Sequence, residues 1–374
     1  MFGGDWNLID LGTLGGSETF GNSINNRGEV VGMSRLYQDS DTHAFFYSSG
    51  VMRDLAPINS GDLRSTGFGL NDIGQIVSGV MVGSMYYPAM YDTHTGQTTI
   101  LGSFGGNFYN LTGAALAINN SGAAVGYSYL SSGTTHAFVY LNGVMTDLGG
   151  SGSQAFAINN SGMIAGSSSG AAAVWINNSR LDLMPGVQST ATGINDSGTV
   201  VGERLQLGPT GGHDEAFVWN NGSLQGLGAL ESGRNSGAND INNNGDIVGY
   251  SDVASLTFST NPVTGTIAVA TNYVDHGFLY KGGLMTDLNS LISTNSGWVI
   301  SGAYSINDSD QILCWGQLND GLYHSFILQM PEPSVSSLLI FGSAGVFAYR
   351  RRNRKGPRSD SATNLSKGIS LRWT

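Results

Sequence analysis

The sequence predicts an all-β protein, a seven-bladed β-propeller closed by an N-terminal strand, and three observations support this prediction. A hairpin motif recurs seven times, a short aromatic strand follows each copy, and one copy of a third short strand stands at the beginning of the pattern instead of its end. Glycine is abundant, with 56 residues, and only 11% of residues are charged. This composition is typical of short strands joined by tight turns.

The hairpin motif is clearest at Ala157–Gly166, where an apolar residue enters, an Asn-rich turn ending in Gly follows, and apolar residues lead to a second Gly. Asn and Gly tolerate positive φ, so the pattern predicts a tight reversal between two strands. Successive copies begin 36 to 65 residues apart, which leaves room for four short strands in most units. The copies are Ile24–Gly32, Leu70–Gly79, Ile118–Gly126, Ile158–Gly166, Ile194–Gly202, Ile241–Gly249 and Ile306–Cys314.

Two further elements complete each repeat. The second is a five-residue run of β-branched and aromatic residues, which predicts a strand. These runs are His43–Tyr47, Tyr87–Tyr91, His136–Tyr140, Ala171–Trp175, Glu215–Trp219, His276–Tyr280 and His324–Leu328. The third is a short strand ending in Leu, found after six of the seven runs: Met52–Leu55, Thr98–Leu101, Met145–Leu148, Arg180–Leu183, Leu224–Leu227 and Met285–Leu288.

The missing third strand is found at the start of the chain, where Asn7–Leu11 has the same form and precedes the first hairpin motif. A closed ring is often completed by a blade whose strands come from both ends of the chain, whereas a linear stack of repeats has no need to divide one repeat between the two ends. We therefore predict that residues 7–11 supply the closing strand of the blade that ends near Leu328. The alternative is an open stack in which residues 7–11 are a half-repeat.

The segments Leu11–Gly16, Ile24–Gly32, His43–Phe45 and Gly50–Leu55 together resemble the bacterial HAF repeat, named for its His-Ala-Phe. The resemblance covers residues 7–328. It implies an extracellular protein and no established enzymatic activity, and we expect neither a cofactor nor a catalytic site. The seventh copy departs from the pattern, because Asp310 replaces the turn Gly and Cys314 replaces the closing Gly. Cys314 is the only cysteine, and its apolar strand position predicts a buried thiol.

Charge divides the chain into two parts. Residues 1–330 carry 8 basic and 25 acidic residues, whereas residues 331–374 carry 8 basic and 2 acidic residues. An acidic body lacks the basic surface that nucleic-acid binding requires, so we expect no nucleic-acid partner. We expect three segments: a propeller over 1–329, a sorting and anchor segment over 330–355, and a tail over 356–374.

The anchor segment begins with Pro331, Glu332 and Pro333, and sixteen uncharged residues, 334–349, follow before the basic residues Arg350, Arg351 and Arg352. A helix over 334–349 would be about 24 Å long, and with snorkelling side chains at its ends it predicts one transmembrane helix followed by a basic tail. The Arg cluster predicts that this end stays in the cytoplasm and the body lies outside.

This arrangement resembles the PEP-CTERM sorting signal of Gram-negative bacteria. The resemblance implies processing by a membrane transpeptidase of the exosortase type and a place at the cell surface or outside the cell, often with exopolysaccharide. The alternative is an ordinary tail anchor without processing. The signal usually ends soon after the Arg cluster, whereas residues 356–374 continue here. Residues 1–6 contain no basic or apolar leader, so we expect an export signal upstream of Met1.

Recurring polar residues are interpreted as structural. His43, His136, His276 and His324 occupy one repeat position, so we expect each to hold a turn or a neighbouring strand by hydrogen bonds, and a ligand role is the alternative. The turn residues Asn195, Asp196, Asn307 and Asp308 offer too few converging oxygens for calcium, and turn formation explains them better.

Binding on a propeller usually lies in the loops of one face. The loops differ most in length between Ser251 and Asp275, where an extra hairpin is expected across Asn261–Gly265, and between Asn289 and Ser305. Four tyrosines are candidates for stacking on sugar rings, or else belong to the blade core: Tyr109, Tyr127, Tyr129 and Tyr250.

Two functions are consistent with the sequence. The first is non-enzymatic binding of extracellular polysaccharide or an envelope protein, and the second is a secreted hydrolase or lyase that acts on polysaccharide. An enzyme would show paired carboxylates in only one or two blades, whereas Asp54, Asp147, Asp182 and Asp287 recur at one repeat position. We therefore favour binding.

Overall fold

The structure is a computed structural model that describes residues 6–39, 41–55, 65–208, 211–232, 234–260, 267–319 and 321–330. Within these residues the strands form seven four-stranded antiparallel sheets. Six sheets use four consecutive strands, and the seventh joins the first strand of the chain to the last three. The predicted seven-bladed β-propeller is therefore confirmed.

The blades are numbered in chain order. Blade 1 contains β2 (Gly15–Ile24), β3 (Val30–Leu36), β4 (Thr42–Ser48) and β5 (Val51–Asp54). Blade 2 contains β6 (Thr66–Leu70), β7 (Gln75–Val82), β8 (Met85–Asp92) and β9 (Thr98–Ile100). Blade 3 contains β10 (Gly113–Ile118), β11 (Ala124–Tyr129), β12 (Thr135–Leu141) and β13 (Val144–Asp147). Blade 4 contains β14 (Gln154–Ile158), β15 (Ile164–Ser168), β16 (Ala171–Ile176) and β17 (Ser179–Asp182).

Among the remaining blades, blade 6 has the longest strands. Blade 5 contains β18 (Ser189–Ile194), β19 (Val200–Gly208), β20 (Gly211–Asn220) and β21 (Ser223–Gly228). Blade 6 contains β22 (Ser236–Ile241), β23 (Ile247–Thr260), β24 (Ile267–Lys281) and β25 (Leu284–Asp287). Blade 7 contains β26 (Trp298–Ile306), β27 (Gln311–Leu318), β28 (Tyr323–Gln329) and, as its outer strand, β1 (Asn7–Asp10). Two short 3₁₀ helices, Tyr37–Asp39 and Leu288–Leu291, lie between strands.

The ring closes through the first strand, as the sequence predicted. β1 pairs antiparallel with β28, so that Asn7 lies opposite Gln329 and Asp10 opposite Phe326. The amide of Leu11 extends this ladder by donating to the carbonyl of Ser325 at 3.2 Å. The open-stack alternative is excluded by this pairing.

The His-Ala-Phe signature describes the packing between blades. The Phe side chains of this motif and its variants in five blades are fully buried: Phe45, Phe138, Phe217, Phe278 and Phe326. Phe278 of blade 6 belongs to one apolar cluster with Val201 and Ala216 of blade 5, so each hydrophobic cluster joins neighbouring blades. A core distributed in this way stabilises a blade only when its neighbours are present.

The closing Gly of the hairpin motif is required by a β-bulge in the inner strand. A Cβ at Gly126 or Gly202 would lie 1.9 Å from a carbonyl oxygen of the inner strand, at Ala114 or Thr190. The register shifts at this point in both blades. In blade 7 the close approach moves to Gly316, and Cys314 occupies a fully buried position, which confirms the predicted buried thiol.

Contacts divide the chain into a unit from Met1 to Met330 and a unit from Pro331 to Thr374, and the described residues belong to the first. The residues of the predicted sorting signal, namely Pro331, Glu332, Pro333, Arg350, Arg351 and Arg352, lie outside the described residues. So does the apolar stretch 334–349. In the part of the chain that the structure describes, no helix is long and apolar enough to cross a membrane.

Candidate functional site

The antiparallel order of the strands gives the propeller two different faces. The tight turns after the first and third strands of each blade lie on one face, here called the turn face. The connections after the second strand and those between blades lie on the opposite face, here called the loop face. These loop-face segments vary most in length and side chains.

On the turn face, the first Asn of every hairpin motif forms an inner ring of hydrogen bonds around the central channel. Each Asn Nδ2 donates to the main-chain oxygen of the corresponding Asn in the next blade at 2.9 to 3.1 Å, and the bond from Asn307 to Asn25 completes the circle. The side-chain oxygens accept amide hydrogen bonds within their own turns, as Asn159 does from Ser161 and Met163. The inner ring is Asn25, Asn71, Asn119, Asn159, Asn195, Asn242 and Asn307.

The next residue of each motif forms an outer ring with the same seven-fold order. Its main-chain amide donates to the Oδ1 atom of the outer-ring residue in the next blade at 2.8 to 3.0 Å. The outer ring is Asn26, Asp72, Asn120, Asn160, Asp196, Asn243 and Asp308.

The three outer-ring carboxylates are never neighbours, and three is the largest number that a seven-membered ring can keep apart. Each carboxylate accepts from the amide of a flanking Asn, as Asp72 does from Asn120 at 2.8 Å and Asp196 from Asn160 at 3.0 Å. Hydrogen bonds from these amides therefore stabilise the negative charges of the outer ring. Across the described residues, no group of three or more His, Cys, Asp or Glu side chains is arranged to hold a metal ion.

Behind the two rings lies the central channel. The channel mouth at the inner ring encloses about 190 Å³, and a second cavity of about 260 Å³ lies deeper. Aliphatic side chains from the inner strands line both cavities and therefore lie between them: Ile24, Leu70, Ile118, Ile158 and Ile194.

The recurring histidines pair with the recurring aspartates of the outer strands. Nδ1 of His136 lies 3.0 Å from the Asp147 carboxylate, and the equivalent pairs in blades 1 and 6 are separated by 2.9 and 2.8 Å. In blade 7 the partner of His324 is Asp10 of the closing strand, at 3.7 Å. In blades 1, 3 and 6 these hydrogen bonds connect the third strand to the fourth, which confirms the prediction for His43, His136 and His276. For His324 the prediction is wrong, because both of its ring nitrogens are buried without a hydrogen-bond partner.

The unusual Asp310 is explained by an ion pair between blades 6 and 7. Asp310 adopts φ of +57°, a conformation that favours Gly, and its carboxylate lies 2.9 Å from Nζ of Lys281. Lys281 also contacts Asp246 at 2.7 Å, whose side chain is only 7% exposed. The ion pair compensates for the backbone conformation that Asp must adopt here.

On the loop face, a tight turn between blades 2 and 3 presents an exposed aromatic cluster. Phe108 and Leu111 exchange two main-chain hydrogen bonds of 2.9 Å, so Tyr109 and Asn110 form the tip of a two-residue turn. Both tip residues have positive φ, 46° and 66°, which is costly for side chains other than Gly. The Asn110 carbonyl accepts from the amide of Tyr86 at 2.7 Å, which fixes the turn to blade 2.

The aromatic cluster consists of Phe108, Tyr109, Tyr127 and Tyr129. Phe108 stacks on Tyr129 with 5.8 Å between ring centroids and meets Tyr109 edge to face at 4.4 Å, and Tyr127 meets Tyr129 edge to face at 5.9 Å. Tyr109 is 88% exposed and Phe108 53% exposed, whereas Tyr127 and Tyr129 are partly buried beneath them. Of the predicted stacking tyrosines, the structure brings these three together and places Tyr250 in blade 6. Phe108 was not predicted, although it precedes Tyr109 directly in a loop.

A different cluster lies on the loop face at blade 6. The expected hairpin is present, because β23 and β24 pair as far as Thr260 and Ile267, and its tip falls outside the described residues. Within it Asp252 lies opposite Asp275. Burial, together with the hydrogen bond and charge of Asp252, raises the pKa of Asp275 to about 6. This carboxyl pair occurs at no equivalent position in the described part of the other blades, so it is not a feature of the repeat.

The fold and the two faces define a class: a closed seven-bladed β-propeller with a hydrogen-bonded turn face and a variable loop face. Within this class, the chain belongs to the family described as protein of unknown function (DUF3466), whose sequence profile matches residues 104–315, more than half of the chain. No curated protein matches the chain significantly.

Solved structures of similar fold include oligogalacturonate lyase from Vibrio parahaemolyticus. That protein has a TM-score of 0.51 and 10% sequence identity, over 87% of this chain and 92% of that chain. An acylaminoacyl peptidase has a TM-score of 0.47 and 10% identity, over 87% of this chain and 54% of that chain. TolB from Acinetobacter baumannii has a TM-score of 0.36 and 12% identity, over 81% of this chain and 64% of that chain. At such identities the likeness concerns the fold alone.

Proposed function

We propose that this protein is an exported, non-enzymatic propeller that binds a polysaccharide outside the cell through its loop face. The observation that carries the proposal is the aromatic cluster at Phe108 and Tyr109. Large aromatic rings held in solvent on a fixed turn are the surface that sugar rings stack on. An 88% exposed tyrosine at positive φ contributes little to folding, so its presence is better explained by binding.

The charge around the cluster indicates the kind of polysaccharide. Residues 95–135 contain no Asp, Glu, Lys, Arg or His. The whole loop that carries the cluster and the strand beneath it are thus uncharged. A polymer rich in uronate or phosphate would find no basic partner here, and the body of the protein is acidic. A neutral polysaccharide fits this surface best.

Binding is tested with the purified full-length protein by affinity electrophoresis in gels that contain neutral or acidic polysaccharides. Tyr109→Ala should weaken binding to the neutral polymer about tenfold, which corresponds to about 1.4 kcal/mol. Tyr37→Ala is the matched control, because Tyr37 is 73% exposed on the loop face of blade 1 and lies outside the cluster. Equal retardation of both variants and the unmodified protein would exclude the cluster as the binding surface.

Export and sorting form the second part of the proposal. The motif at Pro331, Glu332 and Pro333, the apolar stretch 334–349 and the basic cluster at Arg350 to Arg352 support processing by an exosortase-like transpeptidase. The acidic, turn-rich body and its single buried cysteine are compatible with folding outside the cytoplasm.

Replacing Pro331, Glu332 and Pro333 with Ala should leave the protein in the inner-membrane fraction with its C-terminus intact. Mass spectrometry of the C-terminal peptide measures this directly. Release of the variant with the same C-terminus as the unmodified protein would exclude processing through this motif.

A polysaccharide hydrolase or lyase is the second candidate, and the carboxyl pair Asp252 and Asp275 is the observation that favours it. Glycoside hydrolases, however, usually hold their two carboxyl groups about 5 to 9.5 Å apart so that the sugar or a water molecule fits between them. Here the two residues lie directly opposite each other in β23 and β24, and Asp252 raises the pKa of Asp275, so the two carboxyl groups interact directly. Binding is therefore preferred, and product release from a bound polysaccharide that disappears in Asp275→Asn would reverse this preference.

A further inference from the structure

The deeper cavity of the central channel has an uneven lining that no repeat requirement explains. One layer of side chains is apolar or aromatic in blades 2, 3, 4 and 7 and polar in the other blades. This layer consists of Asn22, Phe68, Leu116, Phe156, Thr192, Asn239 and Tyr304. The cavity of about 260 Å³ exceeds the roughly 150 Å³ that accommodates a benzene molecule in an engineered protein interior. It is therefore large enough for a small organic molecule.

Asp240 is the one charged side chain among the described residues that line this cavity. The same repeat position holds Ser, Gly or Ala in the other six blades, so the blade does not need a carboxylate there. The six residues are Ser23, Gly69, Ala117, Ala157, Gly193 and Ser305.

The contacts of Asp240 leave its charge without a cationic partner. Its carboxylate accepts from the Ser305 hydroxyl at 2.7 Å and from the amides of Ile306 at 3.0 Å and Ile241 at 2.8 Å. All three donors are neutral, and the described residues provide no ion pair to Asp240. A carboxylate in such a place is costly unless a cation approaches it.

We propose that the channel binds a small organic ammonium ion, with the positive charge beside Asp240 and the alkyl groups against the rings of Phe68 and Phe156. Aromatic faces attract alkylammonium ions through their quadrupole, and the effect is larger where water is excluded. A divalent metal ion is a poorer occupant, because calcium needs six or more oxygens and the lining offers one carboxylate. Among the described residues that line the cavity, none is a Lys or Arg that would oppose a cation. Since the aliphatic side chains lie between this cavity and the inner Asn ring, entry is from the loop face.

The test is isothermal titration calorimetry of the full-length protein with choline chloride. The control ligand is 3,3-dimethylbutan-1-ol, which has the same shape without the charge. Choline should bind with a saturable heat, and the neutral alcohol should bind at least tenfold more weakly. Equal affinity for the two compounds, no binding of choline, or binding of CaCl₂ in its place would overturn the proposal.

Two variants are matched to residues that the chain already uses at equivalent positions. Asp240→Ser copies blades 1 and 7 and should reduce choline affinity at least tenfold, while Phe156→Leu copies Leu116 of blade 3 and should reduce it by a smaller factor. Circular dichroism verifies that each variant is folded. If Asp240→Ser does not fold, Phe156→Leu and Asp240→Asn provide the comparison. Unchanged affinity in the folded variants would show that choline binds elsewhere.

Discussion

The inner Asn ring predicts that one side chain stabilises two blades at once, and Asn159→Ala tests this. Asn159 is 3% exposed, and its Nδ2 donates to the Asn195 carbonyl of blade 5 at 2.9 Å. Its Oδ1 accepts from the amide and hydroxyl of Ser161 and from the amide of Met163, at 2.7 to 3.1 Å. The substitution therefore removes four hydrogen bonds, one of them between blades.

A net value near 1 kcal/mol for each bond gives a loss of about 3 to 4 kcal/mol in the free energy of unfolding. With an unfolding entropy of about 2.1 cal/mol/K per residue over roughly 320 residues, the midpoint of thermal unfolding should fall by about 5 °C. Differential scanning calorimetry of the purified protein measures this shift.

The matched control is Asp72→Asn in the outer ring. Asn already occupies this position in four blades, so the change should cost less than about 1 kcal/mol and shift the midpoint by less than about 1.5 °C. Equal shifts for Asn159→Ala and Asp72→Asn would refute the assignment of a special connecting role to the inner ring.

Three further predictions concern single residues. Burial raises the pKa of Asp240 to about 6 in the folded protein, above the usual 3.8, so its contribution to stability should decrease as the pH rises from about 4 to about 6. The quantity to measure is the melting temperature of Asp240→Asn minus that of the unmodified protein. This difference should be larger at pH 7 than at pH 4.5, and the same difference at both pH values would contradict the prediction. Lys281→Met should lower the free energy of unfolding in urea by about 2 kcal/mol, because it leaves the carboxylates of Asp246 and Asp310 without their cation. Asp310→Gly should lower it by less. The reverse order of the two variants would contradict the ion-pair account. Burial raises the pKa of the Cys314 thiol, so a disulfide reagent should modify it only after unfolding, and rapid modification of the native protein would show that the position is accessible.

Much of the fold follows from the spacing of the sequence repeats. The seven hairpin motifs and the displaced strand Asn7–Leu11 predicted both the number of blades and the ring closure, because strand order in a propeller follows chain order. The pattern also indicated that His136 and its equivalents are structural. Residues at one repeat position lie in different blades, so they are too far apart to form one site.

The contacts between blades could not be predicted in the same way. The sequence indicates that Asn159 forms a turn, but the direction of its amide group toward Asn195 depends on how adjacent blades pack. Asp310 appeared only as a departure from the motif, because its partner Lys281 belongs to another strand of another blade.

The candidate sites were predicted only in part for a related reason. Tyr109 was recognised, whereas Phe108 was not, because the two-residue turn that exposes both rings depends on main-chain pairing between Phe108 and Leu111. Asp240 lies in a strand whose other copies carry small residues, and its place in the channel follows from the bulge in that strand. The sequence does contain one indication of this site, because Asp240 is the only charged residue at its repeat position.

Closure of the ring through the first strand is the central claim, and disulfide trapping tests it most directly. Leu8 and Leu328 lie opposite each other in β1 and β28, and Leu313 and Ile327 lie opposite each other in β27 and β28 of the same blade. After refolding in an oxidising buffer, peptide mass spectrometry should find a crosslink in the double variant Leu8→Cys, Leu328→Cys as readily as in the control Leu313→Cys, Ile327→Cys. A crosslink in the control alone would show that the first strand does not close the propeller.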